Sequence, residues 1–270
     1  MGNALFLKTP INVVTVSYKI KRSNLFIIRL AMLIILIGLV AWNCIIHADE
    51  FYRYFTLWGL MITTVYFIVI QISYFQGLGY NVEYEAMQLR YHSKFNQVMV
   101  IIFESAWAAE FVITAVFWCI LLPVLAIYEN GHPEYKSTVT TADLIYDGFV
   151  HLMPFGFLLV DLILLSITFT PVQIVWSLGY GILFACMDCG LVLTGHPPAY
   201  PVVLEWDGYM TALTLCGMML LLALGFYVGF RITFKNKVVK DDILIDYYIP
   251  EVVPTIEIEP PRQLNDDTQQ

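Results

Sequence analysis

The residues best able to do chemistry in this chain are those that an apolar environment should exclude. Its long hydrophobic stretches carry Thr56, Thr63, Thr64 and Gln71, then Glu104 and Glu110, then His151 and Asp161, and finally Asp188. Polar and ionisable groups inside a membrane are costly, which makes each of them a functional candidate. Thr56 and His151 complement one another chemically. A threonine hydroxyl is too weakly acidic to attack a carbonyl unaided, and a neighbouring imidazole can take its proton. Asp147 precedes His151 by four residues, so on a continuous helix the two share a face. A carboxylate on the ring's second nitrogen would fix the tautomer and stabilise the imidazolium. Together these residues could attack a carbonyl carbon, with no metal or other cofactor. Structural roles compete with this. Threonines in membrane helices bond back to the preceding turn, a histidine at a helix entry bonds water or headgroups, and Asp147 suits the first turn of a helix. Buried acids can bond a neighbouring helix or line a relay for protons or cations.

The elements that must position these groups are α-helices. About 20 apolar residues cross the roughly 30 Å hydrocarbon core, and six runs qualify: Leu25–Ile46, Phe55–Gln76, Val98–Ile127, Ile145–Phe169, Val172–Thr194 and Gly208–Phe230. They are long and continuous rather than short and alternating, which excludes a barrel. The third is long enough to tilt, or to bend at Pro123. Only Thr170-Pro171 separates the fourth from the fifth, so these two form a tight hairpin. Lys8, Lys19, Lys21 and Arg22 precede the first span, Arg90 and Lys94 sit in the second link, and Arg231, Lys235, Lys237 and Lys240 follow the sixth. The first, third and fifth links hold only Arg53 and Lys136. The positive-inside rule then puts both termini on the cytoplasmic side, with Arg29 snorkelling to that face. The second and fourth spans both start on the opposite side. Thr56 and His151, about one turn in, therefore share a depth. Trp58, with Tyr52 and Tyr54, forms the aromatic belt expected there.

Composition agrees. Of 270 residues, 59% are hydrophobic and 13% charged, with a mean hydropathy of +0.71. A soluble domain has about 45–50% and about 25%. The net charge is −8, and eight of the 22 acids lie from Asp241 onward. That acidic tail argues against nucleic acid as a partner. Cys44, Cys119, Cys186, Cys189 and Cys216 lie in apolar stretches and form no extracellular disulfide framework. The Cys186-Met187-Asp188-Cys189 pair lacks the partner pair that a metal site needs. No signal peptide is read at the start, because the first apolar run is of full membrane length. Phe6 stands where a myristoylation pattern needs Ser or Thr. The expected organisation is an all-α polytopic bundle: a basic cytoplasmic arm over 1–24, six transmembrane helices over 25–231, and an acidic, Pro-containing tail over 232–270, disordered at its end. The tail is a candidate docking element for a protein partner. Whether the membrane is an endomembrane or the plasma membrane is not encoded.

Several short motifs carry a family resemblance. Arg53-Tyr54-Phe55-Thr56-Leu57-Trp58, Phe111-Val112-Ile113-Thr114-Ala115-Val116-Phe117-Trp118, His151 with Asp161 ten residues on, and Tyr200-Pro201-Val202-Val203-Leu204-Glu205-Trp206 resemble segments of the androgen-induced-gene family of six-span membrane proteins and their rolling-stone-type relatives. The resemblance implies a hydrolase of fatty acid esters, including those of hydroxy fatty acids, with Thr56 as nucleophile and His151 as general base. The lipid substrate would be met within the bilayer. Leu57, the position of Pro154, and Asp161 in place of Glu depart from the hydrolase branch, and Asp161 with the Tyr-Pro-Val segment lies nearer the rolling-stone type. A carrier using Glu104, Glu110, Asp161 and Asp188, or an accessory subunit of a larger membrane assembly, are the competing functions.

Overall fold

A computed structural model describes residues 20, 22–46, 51–78, 94–123, 141–164, 167, 169–200, 206 and 208–248. These residues are helical apart from short links, and no strand occurs among them. In chain order the helices are α1 (Arg22–Ile46), α2 (Phe55–Leu78), α3 (Lys94–Val116), α4 (Thr141–Leu164), α5 (Ile174–Leu193) and α6 (Tyr209–Tyr248). Single 3-10 turns at Phe51–Arg53 and Pro171–Gln173 lead into α2 and α5. Six helices are long and apolar enough to cross a membrane. The chain is an integral, multi-pass membrane protein.

The hub is α3, which packs against α2, α4, α5 and α6. Its span is 67% buried, against 22–28% for α1, α4, α5 and α6. Small residues allow this crowding, since Ala106, Ala108 and Ala109 are all buried and let neighbouring backbones approach. Gly59 of α2 lies so close that a methyl there would stand 2.3 Å from Ile113 Cδ1. Trp107 of α3 donates to the Gly225 carbonyl of α6 at 2.9 Å.

Buried acids tie the helices together. Asp161 of α4 accepts from Arg29 of α1 at 2.8 and 3.2 Å and from the Tyr66 hydroxyl of α2 at 2.5 Å. Arg29 thus does not snorkel to the surface. It is 4% exposed, because a buried carboxylate on another helix gives the guanidinium charge-assisted hydrogen bonds inside the bundle. Glu104 of α3 accepts from the Thr170 amide at 3.0 Å, and, with the Gln173 amide turned so that its nitrogen faces the carboxylate, from that nitrogen at 2.6 and 3.0 Å. It anchors the link between α4 and α5.

Some boundaries differ from the sequence reading. The irregularity in the third span precedes Pro123: residues Phe117–Leu121 form a π-turn in which the Leu122 amide reaches the Phe117 carbonyl. A proline ring collides with the carbonyl four residues earlier, here Cys119, and widening that turn relieves the collision. The sixth helix runs on to Tyr248 because no glycine or proline intervenes between Gly229 and Pro250. The expected tail therefore starts as helix, while its end, 249–270, and the arm up to residue 19 lie outside the described residues.

Candidate functional site

Contacts along α3 fix the register of the helices beside it. Gly59 meets Ile113, Thr63 reaches Glu110 and Tyr66 packs on Phe103, so α2 runs antiparallel to α3. Gly148 faces Trp118, the Thr114 hydroxyl donates to the His151 carbonyl at 2.7 Å, and Phe155 packs on Phe111, so α4 is antiparallel to α3 as well. Hence α2 and α4 are parallel, and the Tyr66–Asp161 bond sets their relative height. Thr56 and His151 each lie ten residues before that bond, about 15 Å back along both helices. The two share a level at the end of the bundle where α2 and α4 begin.

A shared level does not make them face one another. Ten residues are about 80° short of three full turns. When parallel helices touch at Tyr66 and Asp161, positions ten residues back rotate in the same sense about separate axes and face opposite flanks. Their surroundings differ accordingly. The Thr56 hydroxyl lies in hydrogen-bond reach of the Tyr200 hydroxyl, to which the Phe55 amide donates at 3.0 Å. The first amides of a helix lack intrahelical acceptors, so Tyr200, from the loop after α5, serves α2 as a cap from outside it. Burial pushes the Tyr200 phenol up to about 12, against the opposing pull of the bonds from Thr56 and Phe55.

His151 lies across the bundle end. Its ring stacks on Phe117, centroids 3.9 Å apart and planes 13° apart, and Phe117 is the first residue of the π-turn. The ring's Nδ1 is buried without a hydrogen-bond partner, so neither Thr56 nor Asp147 holds it. Asp147 does lie on α4 as the spacing required, but the expected carboxylate–imidazole bond to Nδ1 is not made. Beside Phe117 an apolar cleft of about 440 Å³ opens between the end of α3 and the start of α4, lined by Trp118, Gly148, Phe149, Leu152 and Met153 among others.

The loop after α5 is strapped down over this end of the bundle. Arg53 donates to the Pro197 carbonyl. Buried Asp188 accepts from the Ala199 amide at 3.0 Å and from Trp206 Nε1 at 2.7 Å. Trp206 has φ of 57°, a left-handed conformation that costs a bulky residue roughly 1–2 kcal/mol, and the Asp188 bond helps to hold it. Trp58 packs edge-on to Phe184 and donates to the Tyr52 carbonyl at 2.7 Å, so it braces the entry of α2.

Of the residues singled out in the sequence, the structure places Thr56, Trp58, Asp147 and His151 at one end of the bundle and sets Asp161 deeper, in the ion pair with Arg29. Tyr200 and Phe117, the residues in closest relation to Thr56 and His151, had no part in the residue-by-residue reading. Tyr200 had a signal, its place in the Tyr-Pro-Val segment. Among the described residues no group of three His, Cys, Asp or Glu is placed to hold a metal ion. The cysteines are free, and Cys186, Cys189 and Cys216 line a separate groove of about 970 Å³ between α5 and α6. No family model matches the chain, and no curated protein or solved structure matches it either.

Proposed function

We propose that this protein is a membrane-embedded lipid hydrolase that cleaves fatty acid esters, with Thr56 as nucleophile and His151 as general base. One observation carries the reading: an alcohol and a buried imidazole nitrogen without a partner stand at one level at the same end of a bundle that borders lipid. The motif resemblance nominates the same two residues. His151 takes the Thr56 proton while Oγ1 attacks the ester carbonyl carbon. The imidazolium then returns that proton to the departing alkoxide, leaving an acyl-threonine. Water, deprotonated by the same ring, attacks the acyl carbon and releases the acid, and the proton goes back to Oγ1. Because Thr56 and His151 face opposite flanks in the substrate-free structure, the first step requires the starts of α2 and α4 to rotate toward one another, taking the hydroxyl off Tyr200 and into reach of the imidazole. Catalytic hydrogen bonds of a substrate-free site are often long and tighten only with substrate bound.

The carrier reading has less support. It needs the buried carboxylates to line one connected path, yet Asp161, Glu104 and Asp188 are bonded within separate networks and Glu110 pairs with Thr63. The accessory-subunit reading leans on residues 249–270, which lie outside the described residues. The test is release of free fatty acid from a branched fatty acid ester by the purified protein. Thr56→Ala and His151→Ala should each abolish it. Undiminished release by either variant removes that residue from the mechanism.

A further inference from the structure

Three observations meet at His151. Its Nδ1 is buried and has no partner. In hydrocarbon no solvent is at hand to satisfy such an atom, and an unmet polar group there is expensive. Phe117, on which the ring stacks, opens the π-turn, a helix irregularity that recurs at functional sites. Phe117 is also a wall of the apolar cleft between α3 and α4. The cleft borders lipid: Trp118, Ile145, Phe149 and Leu152 along it are 41–57% exposed, within spans that cross the membrane. An apolar slot open to hydrocarbon, ending one aromatic ring away from an unsatisfied nitrogen, has the form of a site for a molecule with one long tail and one oxygen-bearing head.

We infer that the cleft beside Phe117 binds a long-chain fatty acid from the bilayer, its tail along Gly148, Phe149 and Leu152 and its carboxyl bonded to His151 Nδ1 once Phe117 swings aside. A carboxyl group suits the site because it can donate or accept, and so pairs with either ring tautomer. A volume of about 440 Å³ falls in the 300–1,000 Å³ range of small-molecule sites. The larger groove between α5 and α6 lies on the far side of α5 from α2, since Tyr180 and Phe184 pack on Phe55 and Trp58 whereas Ile182, Cys186 and Cys189 line the groove. The proposal deepens the hydrolase reading, because it gives the acyl chain its place beside the base, but binding can be measured without turnover.

The experiment uses the full-length protein in nanodiscs with a long-chain fatty acid bearing a diazirine near its methyl end. After illumination, adducts are mapped by peptide mass spectrometry. Label should concentrate on Ile145–Met153 and Phe117–Leu122, and excess unlabelled acid should displace it. Gly148→Phe fills the cleft and should cut labelling about tenfold or more, whereas Gly190→Phe, which intrudes on the other groove, should leave it unchanged. Leu152→Trp repeats the test by a second substitution should Gly148→Phe fail to fold. His151→Phe keeps the stack but removes the nitrogen, and should raise the acid concentration needed for displacement about tenfold, the weight of one hydrogen bond. Thr56→Ala should label like the parent. Cleft-confined labelling in a protein that never hydrolyses an ester upholds the site while the hydrolase reading falls. Label spread evenly over lipid-facing residues, indifferent to Gly148→Phe and Leu152→Trp, overturns the site even if hydrolysis is observed.

Discussion

Replacing Asp161 by leucine removes the acceptor of three hydrogen bonds, from Arg29 at 2.8 and 3.2 Å and from Tyr66 at 2.5 Å. The larger consequence is what remains: a guanidinium 4% exposed with its ion-pair partner gone. Breaking a buried ion pair from one side costs about 3–5 kcal/mol. At about 2–4 °C per kcal/mol for a chain of this size, the unfolding midpoint should drop by roughly 6–20 °C. Removing both charges is a different perturbation, because replacing a buried pair with apolar residues is often neutral. The double variant Arg29→Leu/Asp161→Leu should recover all but about 1 kcal/mol, the cost of stranding the Tyr66 hydroxyl. Tyr66→Phe in that background should recover the rest. The assay is thermal unfolding in detergent followed by fluorescence-detected size exclusion. A double variant as unstable as the sum of its singles, or an Asp161→Leu midpoint within 2 °C of the parent, would refute the reasoning. The same bond sets the level of Thr56 against His151, so Asp161→Leu should also impair hydrolysis in whatever fraction stays folded.

Other perturbations probe the site's supports. Gly59→Leu drives a side chain into Ile113 and Glu110; thermal unfolding should register a loss of several kcal/mol, in the upper range for overpacking. Tyr200→Phe withdraws the oxygen from the Phe55 amide and from Thr56, with a stability cost of about 1 kcal/mol, that of losing a helix cap. In the parent, burial raises the Tyr200 pKa, so the folded state retains its proton where the unfolded chain has begun to lose it. Stability from this group is complete below about pH 10 and fades as pH rises toward 12; Tyr200→Phe should reduce the alkaline fall in midpoint. Asp188→Ala frees Trp206 Nε1 and the Ala199 amide, and should alter Trp206 emission, measured in a background where the remaining tryptophans are phenylalanine.

The six crossings were readable because hydrocarbon thickness sets a span length that apolar runs must meet. The common depth of Thr56 and His151 was readable for the same reason, as both begin spans that run in one direction. Their facing was not, because rotation about a helix axis depends on tertiary contacts such as Tyr66 with Asp161, 95 positions apart. Arg29 was misplaced for a similar reason: snorkelling is a rule about one helix, and its carboxylate partner lies 132 positions away. Pro123 marked an irregularity but not its location, since the strain it introduces is relieved one turn upstream. The loop carrying Tyr200 stands out only through its Tyr-Pro-Val segment, and nothing local in it reveals that its phenol caps α2.

Ester cleavage as proposed requires Thr56 to accept an acyl group with His151 as its base. Rapid acid quench of the purified protein with a slowly hydrolysed fatty acid ester, followed by peptide mass spectrometry, tests this directly. An acyl mass increment is expected on Thr56, absent in Thr56→Ala and greatly slowed in His151→Ala. An unmodified Thr56 during measurable ester cleavage, or acylation at an undiminished rate in His151→Ala, contradicts it.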